Sequence, residues 1–360
     1  MLEVLTNELL ILASFVAGIF IVYWLRTFDV HEKEPFSKMA LVTIIGGVIS
    51  IVFSLILYEY FDLLGVQDIE NAFGAMFVIG PVEEGAKLIT MFLLMFLIRK
   101  EMHEPADGAI YMACIALGFS LIENVFYSIN SEIPWILMAI RLITATPMHI
   151  GFSVIMGLAV YFHLFHQHNW KALMGSYVCA SVMHGIYDVV AFSGVAFIFI
   201  LAFVWVTKNW ILTILGYSAA TSPLRKSLKE FVDSHNPSKH TGIECLKCGD
   251  TDDKVTYRYE KITFQKCETC DHYVTTKASL YSMSRQFGSN FKSAKKSLKT
   301  YVHRAGQQGD SSAVIRDADF ISHKKKIACF DLDTMDDTFE TLSRQAEKSL
   351  PKFIRGVLNN

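Results

Sequence analysis

Residues 81–98 read PVEEGAKLITMFLLMFLI. Two adjacent glutamates and a lysine open a run that is otherwise apolar and long enough to cross a bilayer. A charge at the bilayer centre costs on the order of 2.5–3.5 kcal/mol even on lenient insertion scales, so Glu83, Glu84 and Lys87 each need a reason to be there. Three more greasy stretches carry the same anomaly: Phe119-Ser-Leu-Ile-Glu123-Asn124, Pro147-Met-His149 and His184-Gly-Ile-Tyr-Asp188. Carboxylates and imidazoles gathered inside one apolar bundle are the raw material for handling protons and activating water.

The rest of the chain supports a membrane reading of its first part. Of 360 residues, 52% are hydrophobic and 19% charged, which is too apolar for an ordinary soluble domain. The apolar residues concentrate before about Tyr217; beyond Arg225 the chain is polar. Runs of 18–22 residues fit seven spans: Leu9–Leu25, Met39–Tyr60, Pro81–Ile98, Ala109–Ile129, Pro147–Phe165, Ala172–Ala191 and Val195–Gly216. The shorter stretches Ile69–Gly80 and Ile133–Thr146 read as re-entrant or interfacial helices. Arg26, Lys33 and Lys38, then Arg99 and Lys100, then Lys171 make every other loop basic, which predicts an outside N-terminus and a cytoplasmic C-terminal part. The fold class expected is an all-α polytopic bundle of about seven transmembrane helices over residues 1–219. A linker (220–241), a small cytoplasmic zinc ribbon (242–277) and a polar helical tail (278–360) complete the expected organisation.

The ribbon is read from Cys245-x2-Cys248 and Cys267-x2-Cys270, which flank the strand-like Val255–Phe264. Four thiolates at this spacing give the closed tetrahedral shell of a structural zinc and imply a reducing compartment. Such a ribbon can dock a protein partner. The net charge of −2 offers no global field for nucleic acid, and no clear nucleic-acid site is expected. Lys292, Lys295, Lys296 and Lys299 fit a solvated helix face.

Within the bundle, Pro81 and Pro147 suit helix starts, which puts Glu83, Glu84 and His149 near helix entrances where the dipole favours a carboxylate. Lys87 can pair with either glutamate at i+4 or i+3, and His184 and Asp188 share a face at i and i+4. With the predicted orientation, Glu83, Glu84, Glu123, His149, His184 and Asp188 converge in the outer third of the membrane. A carboxylate there can take a proton from water and pass it on, and a histidine can donate to an oxyanion or bind a metal. Asp188 can orient His184. The same groups supply enough N and O donors for a catalytic zinc, although HExxH is absent. Asn124 and Arg141 are supporting candidates: Arg141 can snorkel to the outer interface or clamp a substrate carboxylate.

In order and on successive apolar segments, Glu83-Glu84-x-x-Lys87, Phe119-x-x-x-Glu123, His149 and His184-x-x-x-Asp188 resemble the PrsW family of membrane-embedded proteases, relatives of the CAAX prenyl endopeptidase group. The resemblance covers residues 1–216. It implies a multi-span helical protease that cuts membrane-protein substrates near or within the bacterial inner (plasma) membrane, with regulated proteolysis of a membrane regulator as an associated role. Whether glutamate alone or a catalytic metal does the work stays open, as does which of Glu83 and Glu84 is the base. Two other readings fit the same residues: a proton- or ion-coupled transporter using the intramembrane carboxylates, and a zinc-ribbon scaffold anchored by an inert bundle.

Overall fold

The computed structural model describes residues 2–66, 71–167, 169–193, 197–239, 245, 248–251, 254–291, 314–317, 326–351 and 355. The chain forms two compact units, Met1–Ser218 with Leu350–Asn360, and Ala219–Ser349.

The first unit is helical. Its elements are α1 (Leu2–Arg26), α2 (Phe36–Leu63), the single turn α3 (Ala72–Gly74), α4 (Gly80–Leu93), α5 (Met95–Ile98), α6 (Pro105–Ile129), α7 (Pro134–Ile143), α8 (Ala145–Phe162), α9 (Trp170–Phe192) and α10 (Phe197–Ala220). Every one of the seven expected spans coincides with a helix or helix run. Five are long and apolar enough to cross a membrane: Thr6–Arg26, Phe36–Leu63, Pro105–Ile129, Pro134–Phe165 and Phe199–Ala220. The two that fall short, around α4 and α9, are the ones whose hydropathy is diluted by Glu83, Glu84 and Lys87 and by His184 and Asp188. This is an integral membrane protein whose least greasy helices carry its ionisable groups.

Burial sorts the helices. α6 and α8 are buried over most of their length, whereas α1, α2 and α10 turn large apolar side chains outward, among them Phe20, Ile44, Leu55 and Trp205. Outward apolar faces of this extent fit lipid rather than water. Close packing at the centre depends on glycine. A Cβ on Gly157 of α8 would lie 2.1 Å from the carbonyl oxygen of Gly108 on α6, and one on Gly80 would lie 2.4 Å from the carbonyl oxygen of Ser181 on α9. Small residues at such crossings let backbones approach, which is how membrane helices gain packing energy without a hydrophobic driving force.

The two short stretches expected to be re-entrant or interfacial are helical where described. Before Pro81, residues Ala75–Ile79 form a π turn that runs directly into α4. Pro81 therefore sits at a π-to-α junction, where its missing N–H relieves the change of register, and the dipole of a free helix start is not available to Glu83. The Ile133–Thr146 stretch becomes α7, which breaks at Thr144 and leads into α8.

The second unit holds a six-stranded antiparallel sheet, in the order β1-β2-β3-β4-β6-β5, formed by Ser238–Lys239, Lys254–Tyr259, Ile262–Cys267, Tyr273–Thr276, Val314–Asp317 and Lys326–Phe330. Tyr257 faces Phe264 across β2–β3, and β6 pairs with β4 from Tyr273↔Phe330 to Thr276↔Ile327. Residues beyond 277 thus extend the sheet as well as forming α12 (Lys277–Gln286) and α13 (Leu332–Glu347), so the tail is not purely helical. Nor is 220–241 only a connection. Ser227 and Glu230 cap α11 (Leu228–Ser234) reciprocally. Leu228, Phe231 and Val232, at i, i+3 and i+4, join Phe264, Phe287 and Phe339 in one core. Lys292, Lys295, Lys296 and Lys299 lie outside the described residues.

Candidate active site and cysteine cluster

The structure brings all six of the expected intramembrane residues, and their three supporting partners, to one end of the bundle. Glu83 and Glu84 open α4, Glu123 lies near the end of α6, His149 near the start of α8, and His184 and Asp188 towards the end of α9. The antiparallel run of these helices puts the six at one level, where they pack side by side.

Glu84 is fully buried and fully engaged. Its Oε1 accepts from Lys87 Nζ at 2.7 Å and lies 2.9 Å from His184 Nδ1; its Oε2 accepts from Ser153 Oγ at 2.7 Å. Lys87, also fully buried, reaches His149 Nδ1 at 3.0 Å and lies over the Phe119 ring at 4.4 Å from its centre. These contacts fix both imidazoles. An ammonium can only donate, so His149 Nδ1 accepts and its Nε2 carries the proton, facing Glu123 Oε2 at 3.0 Å. A carboxylate can only accept, so His184 donates its Nδ1 proton to Glu84, leaving Nε2 as the lone-pair nitrogen.

Arg141 does not snorkel away. Its Nη2 donates to Glu123 Oε2 at 2.7 Å and its Nε to Asn124 Oδ1 at 2.8 Å, because α7 folds back against the end of α6 instead of lying apart at the interface. Asn124 Nδ2 then donates to Thr146 Oγ1 at 2.9 Å, tying α6 to α8.

Against this saturated network one direction is open. Glu83 Oε1 accepts from Tyr58 Oη at 2.9 Å, but among the described residues its Oε2 has no hydrogen-bond partner, and neither has Asp188 Oδ2. Both point at His184 Nε2, from 3.6 Å and 3.4 Å, too far for good hydrogen bonds and close enough to share a ligand. Donor atoms from Glu83, His149 and His184 all lie within 4.8 Å of one another. Buried oxygens left bare beside a lone-pair nitrogen are costly unless a water or cation joins them. The donor set, two carboxylates and a histidine whose other nitrogen is held by a carboxylate, suits a catalytic metal with a free position.

Sequence reasoning missed Tyr58 and Ser153. Ser153 stands four residues after His149 and so on the same helix face, a signal available in the sequence; Tyr58 lies in α2, remote from every fragment, and carries none.

In the second unit, sulfur atoms of Cys245, Cys248, Cys267 and Cys270 lie within 4.8 Å of one another. Each pair sits in the same kind of loop. Gly249 N–H returns to Cys245 O and Asp271 N–H to Cys267 O, and the residue after each second cysteine is left-handed, Gly249 at φ 78° and Asp271 at φ 58°. Burial pushes the Cys267 thiol up, yet donation from Lys254 Nζ at 3.0 Å and from Cys248 brings it down to about 7, favouring the thiolate a metal needs.

Comparison with known proteins gives a family. Residues 34–211 match the PrsW family of intramembrane metalloproteases. The chain is 28% identical over 199 residues to Protease PrsW of Clostridioides difficile (strain 630), covering 52% of this chain and 81% of that protein. It is 28% identical over 185 residues to Protease PrsW of Bacillus subtilis (strain 168), covering 50% and 81%. Protease PrsW of Geobacillus kaustophilus (strain HTA426) is 26% identical over 182 residues, covering 50% and 78%. No solved structure matches.

Proposed function

Because residues 34–211 make this chain a member of the PrsW family of intramembrane proteases, we propose that peptide hydrolysis occurs at the open side of the Glu83–His184–Asp188 group. The observation that carries this reading is the pair of unpartnered oxygens, Glu83 Oε2 and Asp188 Oδ2, facing His184 Nε2.

His184 Nε2 and Asp188 Oδ2 would hold the metal of a metalloprotease, and a metal bound there would supply an acidified water and a polarised scissile carbonyl. The remaining roles belong to the chain. Glu83, held at its other oxygen by Tyr58, is the base that takes a proton from water and returns it to the leaving amine. Glu84 is the positioning residue: it fixes the His184 ring and is itself held by Lys87 and Ser153. His149 presents an Nε2 proton to Glu123, and the Arg141 guanidinium alongside adds positive charge where an oxyanion would develop.

The seven helices and helix runs are read as membrane crossings. Alternate basic loops place the N-terminus outside and the cysteine unit in the cytoplasm of a bacterial inner membrane, which puts the site near the outer face and selects membrane proteins with extracytoplasmic segments as substrates. Regulated cleavage of a membrane regulator fits that placement. The four thiolates are read as a structural zinc ribbon that docks a cytoplasmic protein partner. The transporter and inert-anchor readings have no comparable support, since the curated relatives are proteases.

The test is a pair of exchanges, one isosteric and one a truncation. Glu83→Gln and His184→Ala should each abolish cleavage of co-expressed membrane proteins, read as loss of fragments, with chain abundance unchanged. Undiminished cleavage in both variants removes the site.

A further inference from the structure

A second group of acids lies at the other end of α6. Asp107, in the first turn of α6, and Glu123 are sixteen residues apart, about 24 Å along a helix. Around Asp107 gather Glu104, which precedes the helix, and Asp29 and Glu34 from the connection between α1 and α2. All four are buried, Asp29 and Glu104 completely. Carboxylate oxygens of Asp29, Glu34 and Asp107 lie within 4.8 Å of one another.

Part of this group is explained by local structure. Asp107 Oδ2 accepts from the backbone N–H groups of His103 and Glu104, at 2.7 and 2.8 Å. Asp29 Oδ2 accepts from Glu34 N–H at 2.7 Å, and Tyr111 Oη donates to Glu34 Oε2. What remains, among the described residues, is bare oxygens: Asp29 Oδ1 and Asp107 Oδ1 have no partner although they are shut away from solvent, and the Glu104 carboxylate has none beyond its reciprocal cap with Asp107. Three nearby cations have partners outside the four carboxyl groups. Lys38 pairs with Glu101, His103 with Glu32, and Arg26 donates to the backbone oxygen of Glu34.

Buried carboxylates persist only when paired, protonated or bound to a cation. Capping and turn formation account for one oxygen of each aspartate and leave the other aimed inward. The donors are all carboxyl oxygens, from a loop and a helix start, which is the set preferred by hard divalent ions such as Ca2+, Mg2+ or Mn2+ and refused by soft ones. We propose that Asp29, Glu34, Glu104 and Asp107 form a buried site for one such divalent cation, which pins the α1–α2 connection to the start of α6. Burial, with the Glu104 carboxylate beside it, pushes the Asp29 carboxyl up to about 9, so protons are the competing occupant.

The test uses the full chain in detergent carrying His184→Ala, which removes a donor from the other intramembrane site, with Mn2+ and Ca2+ as probes at neutral pH. One Mn2+ per chain should bind by electron paramagnetic resonance, Ca2+ should displace it, and either ion should raise the thermal unfolding midpoint by several degrees. Adding Asp29→Asn and Asp107→Asn should abolish both the binding and the shift; Glu104→Gln, a milder change, should weaken binding at least tenfold in a chain that still folds. Absence of Mn2+ binding and of any shift in the His184→Ala chain overturns the proposal and assigns the cluster to shared protons. So does binding that survives Glu104→Gln and the double substitution undiminished.

Discussion

The two clusters that sequence reading singled out are built on opposite plans. In the cysteine cluster, four sulfurs from two matching loops face one another, and each loop is closed by its own backbone hydrogen bonds. In the membrane cluster, donors come from separate helices, and most of their capacity is consumed holding one another: Lys87 to Glu84, Glu84 to His184, Lys87 to His149, Glu123 to Arg141. Among the described residues, Glu83 Oε2 and Asp188 Oδ2 are left over, facing the His184 Nε2 lone pair. A closed shell of identical donors serves stability, and an asymmetric set with one open side serves chemistry. The difference also shows in how each is assembled. The thiolates are near neighbours in sequence and need only a hairpin to meet; the carboxylates and imidazoles meet only if α4, α6, α8 and α9 all pack correctly.

That contrast can be broken by substitution. The largest effect is expected at Cys245→Ser. If the four thiolates hold zinc as proposed, the variant chain should contain none by elemental analysis, and the Ala219–Ser349 unit should become protease-sensitive, because metal binding and folding are coupled in such sites with apparent energies of about 10–16 kcal/mol. If the two clusters are independent, cleavage activity of the membrane unit persists in this variant. Next, Glu83→Gln should lower cleavage by about 10^3-fold or more while leaving the thermal unfolding midpoint near that of the parent chain; a large fall in the midpoint would recast Glu83 as a structural residue. Lys87→Met should do the reverse in part, destabilising the bundle by about 3–5 kcal/mol because the Glu84 charge is left buried without its ammonium, as read by the detergent-solution midpoint. Ser153→Ala is the smallest, about 1–2 kcal/mol for one hydrogen bond to a charged acceptor, with activity kept within about tenfold.

The sequence showed much of this because ionisable residues in apolar helices are expensive and conspicuous. Glu83, Glu84, Glu123, His149, His184 and Asp188 announced themselves by that cost, and the Cys-x2-Cys pairs by their spacing. What it did not show is what depends on tertiary direction. Nothing in two adjacent glutamates says that Glu84 is enclosed by Lys87, Ser153 and His184 while Glu83 keeps a bare oxygen. The Arg141 side chain was readable as an interfacial anchor because its partners, Glu123 and Asn124, come from a different helix. The Ala75–Ile79 π turn was missed because glycine and proline at 80 and 81 mark an α-helix start equally well. The strand Lys326–Phe330 is hidden in the sequence because its partner, Tyr273–Thr276, lies some fifty residues earlier, and Val314–Asp317 joins the sheet only by pairing with Lys326–Phe330. The capping pair Ser227 and Glu230 is, like the spacing of Ser153 from His149, a signal legible in the sequence itself. In the α1–α2 connection, Asp29 and Glu34 lie among Arg26, Lys33 and Lys38, and nothing local in the sequence marks the two acids as buried.

The complete engagement of Glu84 has a practical corollary for anyone surveying this enzyme by genetics. Truncating it would free an ammonium, a hydroxyl and an imidazole at once, so the resulting inactive protein would be indistinguishable from one lacking its proton acceptor. A dead alanine mutant ranks residues by how many neighbours they support, not by whether they touch the peptide bond; here the louder phenotype is expected from the scaffold and the quieter, cleaner one from the reactant next door.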